Sequence, residues 1–161
     1  MDEEVSLPQK RKYTGVTDGI AKGPRAGTEE FVKQAISYSG KQVWNNGTFG
    51  VRMVKGNPKA LSVHATGRAM DLSWRGKNKA EAKHFIEVLA DNGFDLGIEL
   101  ILDYNPKPFG RGWKCTRGTW ESYSKATLHG SPNGDWYHIE LCPEFADDPA
   151  KVRAAFKAIF K

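Results

Sequence analysis

His64 and Asp71 stand seven positions apart in LSVHATGRAMDLSW, residues 61–74, and His138 follows far downstream in GDWYHIEL, residues 134–141. Imidazole nitrogen and carboxylate oxygen are the donors that a zinc ion takes, and a catalytic site needs three of them with a further position open. His64, Asp71 and His138 supply that number. Asp135, three residues before His138, adds a carboxylate of the kind that takes a proton from water and later passes it to a leaving group. Singly, each pair has an ordinary explanation. A His-x6-Asp can be a capping histidine and a strand-end aspartate, and DxxH is no more specific.

The residues around them favour the site. Period two puts Ala69, Asp71 and Ser73 on one face of a strand and Met70 and Leu72 on the other. The same alternation separates Trp136, His138 and Glu140 from Tyr137, Ile139 and Leu141. Each segment therefore has one apolar face for a core and one face carrying a candidate ligand. As neighbouring strands they would share a cleft, with His64 entering from a turn at Gly67 and the small Ala69 and Ser73 leaving room for a substrate. In an unbroken strand Asp135 would point away from His138, so Gly134 predicts a turn or bulge that re-aims it. Glu140 is placed to orient a ligand from behind, or is a salt-bridged strand carboxylate.

Ser62-x-His64-x-x-Gly67-x-Ala69-x-Asp71 resembles the SxHxxGxAxD signature of the zinc D-Ala-D-Ala carboxypeptidase family, and all five fixed positions are present. That group, the LAS metallopeptidases, takes in vancomycin-resistance dipeptidases, phage endolysin peptidases and the hedgehog fold. Asp135-Trp136-Tyr137-His138 is similar to its second motif, in which an acid stands three residues before the last ligand. The resemblance implies Zn2+ on His64, Asp71 and His138, Asp135 as general acid/base, and cleavage of peptide bonds in bacterial peptidoglycan stems, as a carboxypeptidase or an endopeptidase. The arginine that the family places upstream, to polarise the scissile carbonyl, falls to Arg52 in FGVRMV; the other reading is a solvated strand residue. Ser62 either hydrogen-bonds within its turn or touches substrate, and Trp136 is expected at the substrate. Some relatives carry a histidine two residues before the acid, where this chain has Asn133; His129, further back, is read as a loop residue.

The elements that must position these residues are legible in outline. Thr28-Glu29-Glu30 predicts a helix start, with Phe31, Val32, Ala35 and Ile36 as its buried stripe and Gly40 as its end. Asn78 with Glu81 predicts a capping box opening a second helix over about 79–92, with Gly93 just past its end. Asp148-Pro149 opens a third, striped by Val152, Ala155, Phe156 and Ile159. Strands are expected at 49–54, 68–74, 98–103 and 136–141, with a weaker one at 110–115. The order predicts an α+β domain, a small antiparallel or mixed sheet with about three helices over residues 28–161, preceded by a loosely ordered arm over 1–27. The resemblance makes the expected fold hedgehog/DD-peptidase-like.

A net charge of +5 favours anionic partners, a charged cell wall among them. The aromatic, basic RGWKCTRGTW, residues 111–120, could stack bases; because it leads into Asp135 and His138 it is read instead as a wall of the cleft, and no nucleic-acid partner is expected. No apolar run approaches the ~20 residues that span a bilayer, and the acidic start lacks the apolar stretch of a secretory signal. Synthesis in the cytoplasm and action at the cell wall, as a phage endolysin or virion-associated lysin, is the expectation, as a monomer or within a virion. The alternative is a non-catalytic zinc-binding recognition or virion structural module of the same fold. Cys115 and Cys142 are read as two buried thiols, with one bridge as the other option.

Overall fold

WYHIEL becomes the strand on which the molecule is organised, because both of its edges are paired and its Tyr137-Ile139-Leu141 face is buried. The computed structural model describes residues 7–160. Its elements run α1 (Ala26–Tyr38), β1 (Trp44–Asn45), β2 (Met53–Val54), β3 (Asn57–Leu61), β4 (Ala69–Ser73), α2 (Lys79–Asp91), β5 (Ile98–Asp103), β6 (Arg111–Lys114), β7 (Thr119–Ser122), β8 (Trp136–Leu141), α3 (Pro143–Asp147) and α4 (Pro149–Ile159). This is an α+β protein: an antiparallel six-stranded sheet in the order β1-β4-β8-β5-β6-β7, with β2 and β3 forming a separate two-stranded ribbon.

One face of the sheet carries the core. Met70 and Leu72 of β4, Tyr137, Ile139 and Leu141 of β8, Ile101 of β5 and Trp113 of β6 meet Phe31, Val32 and Ala35 of α1, Phe85, Ile86 and Leu89 of α2, and Val152 and Phe156 of α4. Phe31 and Phe156 pack edge to face at 4.9 Å. Each fully buried side chain of this kind stabilises by roughly 1.5–3 kcal/mol, which is why one face of β4 and β8 must be apolar and the other is left for the site. Asp148 starts α4 by accepting from the Lys151 amide at 3.0 Å, with Pro149 in the first turn. Cys115 and Cys142 are free and buried. Among the described residues no helix is long and apolar enough to cross a membrane.

Several expectations are corrected. Among the described residues there are four α-helices where about three were expected, since Pro143–Asp147 forms a short helix of its own. Helix α1 starts before Thr28, with Arg25 at its N-cap, and Thr28 is buried inside it with its hydroxyl unpartnered; the turn before Thr28 is drawn into the helix by packing on α3. Asn78 makes no side-chain cap, so no capping box forms. Only Met53–Val54 of the expected 49–54 strand is regular, and β1, β3 and β7 were not expected. The stretch 111–120 falls in the hairpin of β6 and β7, separated from β8 by β5. Its Trp113 belongs to the core, and Arg111 pairs with Asp103 at 2.9 Å and lies over the Trp120 ring.

The leading segment also differs from the loose arm expected of it. Residues 1–6 and Lys161 lie outside the described residues. From there on the segment is tied to the domain: the Arg11 amide donates to the Cys115 carbonyl, the Ala21 amide to the Ala65 carbonyl, and Asp18 receives both Arg25 and Arg68. The partners are main-chain groups and distant charges, so no local periodicity announces them.

Candidate metal centre

The β4–β8 ladder sets Asp71 directly opposite His138 and Ala69 opposite Glu140. Cross-strand partners on one face sit about 4.5–5.5 Å apart at Cβ, within reach of each other's side chains. His138 Nδ1 lies 3.2 Å from Asp71 Oδ1, and its Nε2 lies 2.7 Å from Glu140 Oε2. His64 comes from a single 3-10 turn, Val63–Thr66. Ser62 Oγ accepts from the His64 amide at 3.3 Å, and Gly67 closes the turn in the left-handed region at φ 75°, a conformation that glycine adopts without a Cβ clash. His64 Nε2 then lies 3.1 Å from Asp71 Oδ2, while its Nδ1 lies 2.5 Å from the Thr48 carbonyl oxygen. The same stretch holds Asp71: the Asn46 amide donates to its carbonyl and its amide donates to Gly47, both at 2.8 Å.

The Thr48 contact fixes which nitrogen of His64 is free, and Glu140 occupies one nitrogen of His138. A carbonyl only accepts, so His64 Nδ1 carries the proton and Nε2 presents a lone pair towards the Asp71 carboxylate. His138 has a carboxylate at each ring nitrogen; with Nε2 donating to Glu140, Nδ1 faces Asp71. Lone pairs directed at a carboxylate repel unless a proton or a cation lies among them. His64, Asp71 and His138 each bring one donor atom, all within 4.8 Å of one another. His64 Nε2 lies 3.1 Å from one Asp71 oxygen and His138 Nδ1 3.2 Å from the other, so both imidazoles are drawn up to the same carboxylate, and His, His and Asp are donors that zinc takes. The residues fit a metal ion.

The electrostatics agree. Burial would raise the Asp71 carboxyl, but hydrogen bonds and charge from His138 and His64 outweigh it and hold Asp71 well below the carboxylate range. Burial would lower His138, yet the flanking Asp71 and Glu140 push it up to about 10. Glu140 is buried, and His138, Tyr13 and Arg68 together hold its carboxyl below the usual value against that burial. The two histidines are nearly closed to solvent, whereas the Asp71 side chain is 22% exposed. The site opens on the Asp71 side.

Arg52 stands at that opening, its Nη2 3.7 Å from Asp71 Oδ2 and its side chain half exposed. Asp135 is half-buried just before β8; its carbonyl accepts from the Trp74 amide and the Ser73 hydroxyl, and its carboxylate makes no hydrogen bond or ion pair among the described residues. The turn before it is made by Asn133, at φ 71°, and not by Gly134. The β4–β8 register runs through without a bulge. Gly134 serves a close approach instead: a Cβ there would lie 2.7 Å from both the Trp136 ring and the Tyr104 side chain. Those two rings stack at 4.4 Å. Of the two readings of Ser62, the turn-internal hydrogen bond is the one present, and Ser62 is buried. His129 is exposed beside Gly56 and is not among the donors.

Thr48, Tyr104 and Tyr13 were missed by the sequence reading. Thr48 acts through its carbonyl, which every residue has. Tyr104 continues the 100-102-104 face of β5 next to His138, so period two extended one step past that strand would have found it. Tyr13 donates to Glu140 Oε1 at 2.5 Å across 127 positions, and nothing local signals that. No protein-family model, curated protein or solved structure matches the chain.

Proposed function

We propose that this chain is a zinc-dependent peptidase that hydrolyses peptide bonds of bacterial peptidoglycan, a D-Ala-D-Ala carboxypeptidase-like enzyme with the hedgehog/DD-peptidase type of fold. One observation carries the reading. The residues of the SxHxxGxAxD-like stretch and of DWYH, far apart in sequence, converge as three donor groups, with Thr48 and Glu140 each holding the far nitrogen of one imidazole. The antiparallel α+β arrangement is compatible with the fold that the motif implies.

His64, Asp71 and His138 would hold a zinc ion, which would supply Lewis acidity and lower the pKa of a water towards neutral. Thr48 and Glu140 hold the far nitrogens of the two imidazoles, so a metal ion would displace only the proton between His138 Nδ1 and Asp71. Asp135, with its carboxylate uncommitted, takes the proton of the attacking water and delivers it to the leaving amine. Arg52, at the solvent-open side, sets a fixed positive charge where the scissile carbonyl oxygen gains negative charge. The Tyr104–Trp136 stack offers a rigid wall for a peptide. The net charge of +5 suits an anionic wall polymer as the surface on which the enzyme works, in the setting of host lysis by a phage endolysin or a virion-associated lysin.

Purified peptidoglycan incubated with the zinc-loaded chain tests this, with newly freed termini read by mass spectrometry. Release that stops with chelator and returns with zinc is the expected result. A zinc-loaded chain that frees no termini from any peptidoglycan chemotype would leave it a zinc-binding recognition or virion module.

A further inference from the structure

Three consecutive residues of the leading segment take up three buried charged groups beneath the metal site. The Tyr13 hydroxyl donates to Glu140 Oε1 at 2.5 Å. The Thr14 amide and hydroxyl donate to the two oxygens of Glu99 at 2.8 and 2.7 Å. The Gly15 carbonyl accepts from Arg68, whose guanidinium is fully buried and also meets Asp18 at 3.0 Å and the Leu141 carbonyl at 2.6 Å. Arg68 and Glu99 approach within 3.7 Å. The segment is thus part of the wall behind His138.

Glu140 has two oxygens and two partners: Oε2 on His138 Nε2 and Oε1 on Tyr13. A buried carboxylate with one oxygen unheld can rotate about its last torsion, which is broad and soft, and the imidazole turns with it. Burial and the Glu140 charge push the Tyr13 phenol above its ordinary range, in keeping with its hydroxyl donating to Glu140. Lys114 lies over the Tyr13 ring at 4.4 Å, which keeps the ring in place independently of its hydroxyl.

We propose that Tyr13 is a positioning residue of the metal centre: by holding Oε1 of Glu140 it fixes Oε2 on His138 and so aims His138 Nδ1 at the metal. The inference rests on the metal reading of the site. It makes the leading segment a component of the centre, and it makes metal affinity depend on a residue 125 positions from the ligand it serves, from Tyr13 to His138.

The test is a double-mutant cycle on zinc affinity in the full-length chain, read by competition with a chromophoric chelator. Tyr13→Phe keeps the ring and removes the hydroxyl; it should weaken zinc binding about 10- to 100-fold, the range for partners that orient a ligand from behind. Glu140→Gln should do the same. The double variant should be no weaker than Glu140→Gln by more than about twofold, since both act through one contact. Cobalt substituted for zinc should show an altered visible spectrum in Tyr13→Phe, a readout that packing alone would not move. Wild-type affinity in Tyr13→Phe, additive losses in the cycle, or a loss matched by an equal loss of metal-free folding stability would each overturn the Tyr13 inference alone. A wild-type chain that binds no zinc would overturn the metal reading and this inference with it.

Discussion

The two halves of the candidate site are built differently. Asp71, His138 and Glu140 sit on adjacent strands at the middle of the sheet, in uninterrupted register, with the helix-covered core directly behind them. His64, Arg52 and Asp135 come from a 3-10 turn, the edge of a small ribbon and a strand-entry turn. The strand-borne groups are mutually hydrogen-bonded, whereas Arg52 is half exposed and Asp135 has an uncommitted carboxylate. His64 is the exception among the loop-borne three, being buried and held by Thr48. On the proposed reading, the sheet would hold what must stay still, a metal and its ligand geometry, and the loops would carry the groups that meet a changing substrate.

Substitutions on the two halves should therefore fail in different ways. The largest effect is expected for His138→Ala, which removes a ligand and leaves the buried Glu140 without its cationic partner. Zinc should be lost, activity with it, and metal-free stability should fall by about 3–5 kcal/mol, the cost of breaking a buried pair; chemical denaturation measures it. Asp135→Ala comes next: it should keep zinc and its melting temperature while turnover on cell-wall peptides drops by about 10²–10⁴. If Asp135→Ala lost its zinc, the division between a still half and a reacting half would be wrong. Arg52→Ala should retain zinc and lose about 10²–10³ in kcat, and a change confined to KM would reduce Arg52 to a substrate-docking charge.

The smallest effect is a pH profile. His138 is raised to about 10, so without metal its pairing stabilises the fold fully below about pH 6.5, the ordinary histidine value, and is lost as pH rises through 10. Asp71 and Glu140 are lowered, so their contribution is present above about pH 4 and is lost as pH falls. The melting temperature of the metal-free chain should therefore peak between about pH 4.5 and 6.5 and decline towards 10. A profile that stays flat from pH 6 to 10 would mean that His138 is not held between two carboxylates.

The strand-borne half was legible in the sequence and the loop-borne half only in part, for the same physical reason. Period two is a property of the backbone, so the faces of 69–73 and 136–140, and with them the meeting of Asp71 and His138, follow once the two strands are neighbours. Arg52 reaches Asp71 from just ahead of β2, a two-residue strand too short to show a period. Gly67 announced its turn, because a left-handed residue favours glycine. The turn before Asp135 hid in Asn133, with Gly134 a misleading neighbour. Thr28 looked like a helix cap and is interior, since packing on α3 outweighs a cap worth about 1 kcal/mol. Tyr13 could not be read at all: a segment without periodicity can still be ordered by single hydrogen bonds to buried charges.

The most direct test of the centre itself is zinc K-edge X-ray absorption on the metal-loaded chain. Two imidazole nitrogens with carboxylate and water oxygens, at about 2.0–2.1 Å, is the predicted shell, and it should collapse in His138→Ala. A sulfur contribution at about 2.3 Å would put the metal on Cys115 or Cys142, and would contradict a site made by His64, Asp71 and His138.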